Sequence, residues 1–136
     1  MNTVIFACVH GAGRSQMAAA FVNALADPSM VRALAAGTEP AARVHPEVVR
    51  VMAEAGIDLT AAVPQRLTPE LVRAADLLVT MGCGAACPVV PGLRREDWPL
   101  CDPAGRSLAQ VRAIRDEVRG LVVALIERER WSVPRA

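Results

Sequence analysis

The chain has 136 residues, 53% hydrophobic and 21% charged, which suits one domain over residues 1–136 with a real core and excludes a disordered segment. Its formal charge is +1, from 15 basic and 14 acidic side chains, so net charge draws it to neither nucleic acid nor a membrane. Every basic residue is arginine and tyrosine is absent, which removes a Walker-type phosphate lysine, a pyridoxal Schiff base and a phenolic acid from the possible chemistries.

Thr3–Cys8 is a short apolar run with β-branched residues and reads as a buried strand. After Gly11-Ala12-Gly13, the alanine-rich stretch Ser15–Ala26 predicts a helix that closes before Asp27-Pro28. Val31–Ala36 reads as a second strand, ended by Gly37. Pro46 suits a first helical position; Val48, Val49, Val51, Met52 and Ala55 form a helical stripe stopped by Gly56. Thr68-Pro69-Glu70 gives the start of a short helix, and Asp76–Met81 a third strand. Residues 82–106 are rich in glycine and proline and read as loop, with a short strand expected near Trp98–Cys101. Ser107 and Gln110 form a capping-box pattern for a last helix. Its stripe is Leu108, Val111, Ile114, Val118, Leu121, Val122 and Leu125, and the tail from Arg128 is expected to be solvated with Trp131 packing back.

No apolar run approaches the ~18–20 residues of a membrane span. The opening residues Met1 to Ala7 lack the basic region of a signal peptide, so the expected compartment is the cytoplasm. There, Cys8, Cys83, Cys87 and Cys101 fit reactive or metal-binding roles better than a disulfide framework. Alternating strands and helices predict an α/β fold, a parallel sheet with helices on both faces, in which ligands bind beyond the C-terminal ends of the strands. The first strand ends at Cys8.

Cys8-Val9-His10-Gly11-Ala12-Gly13-Arg14-Ser15 has the spacing Cys-x5-Arg-Ser. It puts a cysteine at a strand tip, a loop of small residues after it and an arginine at the opening of a helix. Successive N–H groups of such a loop can form a nest for a tetrahedral oxyanion. Arg14 adds a two-pronged donor, and the helix N-terminus adds partial positive charge. The same field favours a nucleophilic thiolate at Cys8, with the Ser15 hydroxyl as a further donor to the sulfur. The bland alternative is a buried cysteine before an ordinary glycine turn; the arginine–serine pair at a helix start weighs against it.

With this loop, the stretches Ala36-Gly37-Thr38-Glu39-Pro40, Val44-His45-Pro46, Thr80-Met81-Gly82-Cys83-Gly84 and Glu96-Asp97-Trp98 through Asp102-Pro103 resemble the arsenate reductases of the low-molecular-weight phosphatase fold, over nearly the whole chain. The resemblance implies a four-stranded parallel sheet flanked by helices. It implies that residues 9–15 bind arsenate, with phosphate or sulfate as mimics, and that Asp102 protonates the leaving oxygen when Cys8 attacks. It further implies that Cys83 attacks Cys8 as arsenic leaves reduced, and that Cys87 then takes the disulfide from Cys83. No bound cofactor or metal is implied. The reductant would be external, thioredoxin or a low-molecular-weight thiol such as mycothiol with a mycoredoxin-type partner. The family carries asparagine where this chain has Gly11; asparagine there is left-handed, a conformation glycine enters without strain.

Zinc held by Cys8, His10, Cys83 and Cys87 matches known ligand spacings poorly. Cys101 reads as an incidental thiol, His10 as a contributor of backbone, His45 as a helix starter, and Met17, Met52 and Met81 as core. Two other functions stay open on the residues: a low-molecular-weight tyrosine phosphatase, and a non-catalytic oxyanion sensor or phosphocarrier module. The phosphatase branch places aromatic residues after its Asp-Pro, where this chain has Ala104-Gly105. Retention of both Arg14 and Asp102 argues against the sensor.

Overall fold

The computed structural model describes residues 1–82 and 90–133. Cys83 and Cys87 lie outside the described residues. The strands are β1 (Asn2–Cys8), β2 (Val31–Gly37), β3 (Leu77–Thr80) and β4 (Arg94–Asp97); the helices are α1 (Arg14–Leu25), α2 (Pro46–Glu54), α3 (Pro69–Arg73) and α4 (Leu108–Glu129). The strands form a parallel sheet in the order β2-β1-β3-β4.

The pleat of β1 sorts its side chains between two cores, because successive residues of a strand point to opposite faces. Val4, Phe6 and Cys8 join the larger core, with residues of α1, α2 and α4 against them. Ile5 and Ala7 join the smaller one with Leu67, Val72 of α3 and Leu78. Both faces of the sheet are therefore covered, as the apolar runs of β1 and β3 require. Met17, Met52 and Met81 are fully buried.

Local signals set most boundaries. The Thr68 hydroxyl accepts from Leu71 N at 3.1 Å, and the Ser107–Gln110 box is reciprocal, with Ser107 Oγ and Gln110 Oε1 each accepting a backbone N–H. Two expectations need correction. The fourth strand is Arg94–Asp97, not Trp98–Cys101. Its charged residues escape the usual strand pattern because β4 is an edge whose outer groups meet the end of α4: Arg94 pairs with Glu129 and Glu96 with Arg128. Trp98 and Leu100 follow the strand and are buried in the larger core, Trp98 with its ring 5.4 Å from Phe6. The same ion pairs lie on the last turn of α4, which runs to Glu129, so the helix extends into the expected tail, while Arg128, Arg130, Ser132 and Val133 are exposed as expected. Trp131 does pack back, its carbonyl accepting from Asp27 N.

In this strand order the chain leaves β1 for β2 on one side and later returns to β3 on the other. The crevice opened by that reversal lies beyond the C-terminal ends of β1 and β3. Cys8 closes one strand and Gly82 follows the other, tied by the bond from Met81 N to the Ala7 carbonyl at 2.7 Å.

Candidate active site

Cys8 is buried, and its Sγ lies 3.1 Å from the Ser15 hydroxyl. Between them the backbone makes a tight arc. Its carbonyls are all drawn outward: Cys8 O accepts from Thr38 N, Val9 O from Glu39 N, His10 O from Ala41 N, Ala12 O from His45 N and Gly13 O from Met17 N. Gly11 O accepts from the Gln16 side chain, Nε2 donating at 2.8 Å. In a trans peptide the N–H points opposite to the carbonyl, so outward carbonyls turn the following N–H groups toward the hollow of the arc. No backbone N–H from Val9 to Ser15 donates to an acceptor among the described residues. That is a nest with its donors open, above the N-terminus of α1.

The arc closes this tightly because two glycines meet backbone to backbone. Gly11 has φ +59°, and a Cβ there would fall 2.8 Å from Gly37 N; a Cβ on Gly37 would fall 2.5 Å from Gly11 N. The left-handed conformation expected at Gly11 is present, and the end of β2 leaves no room for a side chain beside it.

Arg14 is the first residue of α1, with a side chain only 7% exposed. Its Nη1 donates to Leu100 O at 3.2 Å, its Nη2 lies 3.9 Å from Asp102 Oδ2, and its buried Nε has no partner among the described residues. A buried donor left unpaired costs about 1–3 kcal/mol, which an arriving anion oxygen would remove. Gly82, at φ +96°, walls the other side: a Cβ there would sit 2.5 Å from Arg14 Nη1. Asp102 is half-exposed at the rim. Its Oδ1 accepts from Ala104 N at 3.0 Å and its carbonyl from Arg106 Nε at 3.2 Å, which leaves Oδ2 facing Arg14. Pro103 rests against Gly13, where a Cβ would meet its Cγ at 2.7 Å.

The structure thus brings together Cys8, Val9, His10, Gly11, Ala12, Gly13, Arg14, Ser15 and Asp102. His10 adds its carbonyl to the frame, and its Nδ1 lies 3.2 Å from Glu39 O, a contact that requires the proton on Nδ1. The His45 ring stands edge-on to His10, while its carbonyl begins α2 by accepting from Val48 N and Val49 N. Cys101 is exposed and in no disulfide. Among the described residues, no three His, Cys, Asp or Glu side chains cluster as a metal site, and no helix is long and apolar enough to cross a membrane. A cleft of about 260 Å³ between α1, β2 and residues 59–65 includes neither Cys8 nor Arg14. An oxyanion-sized nest needs no such volume.

The roles of Gln16, Gly37, Gly82 and the Leu100 carbonyl were not read from the sequence, although both glycines lie in stretches that carry the resemblance. Gln16 left one trace, a polar residue at the head of the alanine-rich run Met17–Phe21. Each glycine is revealed only by what another segment places against it.

The profile of the family described as low molecular weight phosphotyrosine protein phosphatase matches residues 3–130. A putative arsenate reductase of Halobacterium salinarum is 39% identical over 126 residues, 90% of this chain and 89% of that protein. The thioredoxin-dependent arsenate reductase Cg_ArsC1' of Corynebacterium glutamicum superposes with a TM-score of 0.84 at 37% identity, covering 96% of this chain; this chain spans 62% of that longer one. A structure described as an arsenate reductase in the phosphate binding state gives 0.77 at 31% identity, covering 94% of this chain and 98% of that one.

Proposed function

We propose, from the premise that this chain belongs to the low molecular weight phosphotyrosine protein phosphatase family, that it reduces arsenate to arsenite. The observation that carries this reading is the nest of open N–H groups beside Cys8 Sγ, joined by the unpartnered Nε of Arg14. Relatives named as arsenate reductases support arsenate over a phosphate ester. So does the loop after Asp102, where Pro103, Ala104 and Gly105 offer no aromatic wall to a phenyl ring.

Arsenate sits in the arc, with backbone N–H groups and Arg14 on its oxygens. The Cys8 thiolate, favoured by the Ser15 hydroxyl and the dipole of α1, attacks arsenic. Asp102 Oδ2 gives its proton to the hydroxyl of the monoprotonated arsenate, which leaves as water as the sulfur–arsenic bond forms. A second thiol then attacks Cys8 Sγ. The sulfur–arsenic bond breaks, its electron pair stays on arsenic, and As(V) departs as arsenite while Cys8 is left in a disulfide. Cys83 is the internal candidate for that thiol and Cys87 the one that follows it; an external low-molecular-weight thiol is the other route. Thioredoxin, which serves Cg_ArsC1', or a mycoredoxin-type protein then restores the dithiol. The cytoplasm, where thiols stay reduced, is the compartment this cycle suits.

The test is arsenite formation by the purified protein, supplied with thioredoxin and its reductase or, separately, with a small thiol. Turnover with at least one donor, lost in Cys8→Ser, is the expected result. Oxyanion binding without turnover under every donor would identify a sensor instead. Mass spectrometry after one turnover without reductant separates the routes: a Cys8–Cys83 or Cys83–Cys87 disulfide marks the internal cascade.

A further inference from the structure

We propose that Gln16 is a positioning residue for the oxyanion, holding the Gly11–Ala12 peptide so that the Ala12 N–H faces the bound anion. The inference rests on reading residues 9–15 as an oxyanion nest. Of the six carbonyls from Cys8 to Gly13, five receive a backbone N–H, that of Val9 also the Thr38 hydroxyl at 3.5 Å, and among the described residues only that of Gly11 is held by a side chain alone. The contact is 2.8 Å and the Gln16 side chain is buried on the first turn of α1, where the helix fixes its origin. Only its amide nitrogen can meet a carbonyl, so Nε2 is the donor.

Position 11 cannot provide this restraint itself. It carries no side chain, a Cβ there would fall 2.8 Å from Gly37 N, and glycine is the residue whose backbone turns over most easily. Were the Gly11–Ala12 peptide to rotate, it would replace an N–H facing the anion by a carbonyl oxygen. An attraction would become a repulsion in a site that binds by charge. Gln16 makes that rotation cost a buried hydrogen bond. It touches no reacting atom.

Sulfate is a suitable probe because it keeps one charge state from pH 5 to 8. Titrating it into wild type, Gln16→Met and Gln16→Glu separates positioning from packing. Methionine fills similar space without a donor, and the expected result is a sulfate Kd raised about 10-fold, the size of one lost hydrogen bond near a charge. Gln16→Met should stay folded, with unchanged circular dichroism and a thermal midpoint lowered by several degrees as the buried Gly11 carbonyl loses its partner, and its arsenate KM should rise more than its kcat falls. Glutamate donates only when protonated. The ratio of its Kd to that of wild type should be large at pH 8 and fall toward one at pH 5, a recovery that loss of packing would not give. Gln16→Met binding sulfate as wild type does, or a Gln16→Glu ratio flat across that range, would overturn the proposal. If wild type binds no tetrahedral oxyanion while folded, the nest reading and this proposal fall together; if wild type binds and the variants match it, only this proposal falls.

Discussion

Arg14 and Arg112 carry the same guanidinium into opposite settings. Arg112, at the surface of α4, meets Glu54 with two parallel bonds of 2.9 and 2.8 Å, and Arg115 adds a third at 3.1 Å. Arg14 is buried, yet it has one bond to a carbonyl, a carboxylate at 3.9 Å and an Nε with no partner among the described residues. Geometry is best where water would have solvated the charge anyway, so the well-paired arginine contributes little. The incompletely paired one sits where desolvation makes every missing bond count. A buried donor left unfilled is a place a ligand can fill, and the contrast singles out the end of the sheet where the proposed site lies.

The contrast can be broken at either end. The largest effect is expected from Arg14→Lys, which keeps the charge and loses the planar fork; kcat/KM for arsenate should fall about 10²–10³-fold, comparable to deleting a donor from an anion hole. Asp102→Asn, measured by pre-steady-state adduct formation at Cys8, should slow arsenic–sulfur bond formation by about 10²-fold, as for a lost general acid, with sulfate affinity retained. Gly82→Ala should reduce kcat/KM up to about 10²-fold by displacing Arg14 Nη1, a misplacement of the order of 1 Å. A Gly82→Ala enzyme with normal kinetics would show that Arg14 tolerates the shift.

The surface end should be nearly silent. Glu54→Gln ought to leave catalysis unchanged. Hydrogen bonding from Arg112 holds the Glu54 carboxyl at about 2, against 4.5 for a free glutamate. A lowered folded value means the stabilisation is complete above pH 4.5 and is lost as pH falls through about 2. Urea unfolding at neutral pH should therefore favour wild type slightly, the gap closing between pH 4.5 and 2 and shrinking in high salt.

Much of the fold was legible because it rests on local patterns. The apolar run of β1, the Pro46 and Pro69 starts, the Ser107–Gln110 box and the 3.6 period of α4 carry their own instructions. β4 was not legible, since Arg94-Arg95-Glu96-Asp97 is a strand by virtue of its neighbour β3 and its ion pairs to α4. Of the site, the Cys-x5-Arg-Ser spacing on a strand–helix junction was visible, as was the glycine at position 11. The parts played by the Leu100 carbonyl, Gly37 and Gly82 were not, because each meets the Cys8–Ser15 segment from a distant part of the chain.

The sequence by itself determined where a thiol, a flexible arc and an arginine follow one another, because those are neighbours along one covalent strand–loop–helix segment. Tertiary structure alone decided which way the arc's peptides face. Thr38, Glu39, Ala41 and His45 pull carbonyls outward from 30 or more residues away along the chain, and Leu100 and Asp102 reach Arg14 from beyond the sheet. Peptide orientation depends on hydrogen bonds between segments, and those exist only once the chain has folded.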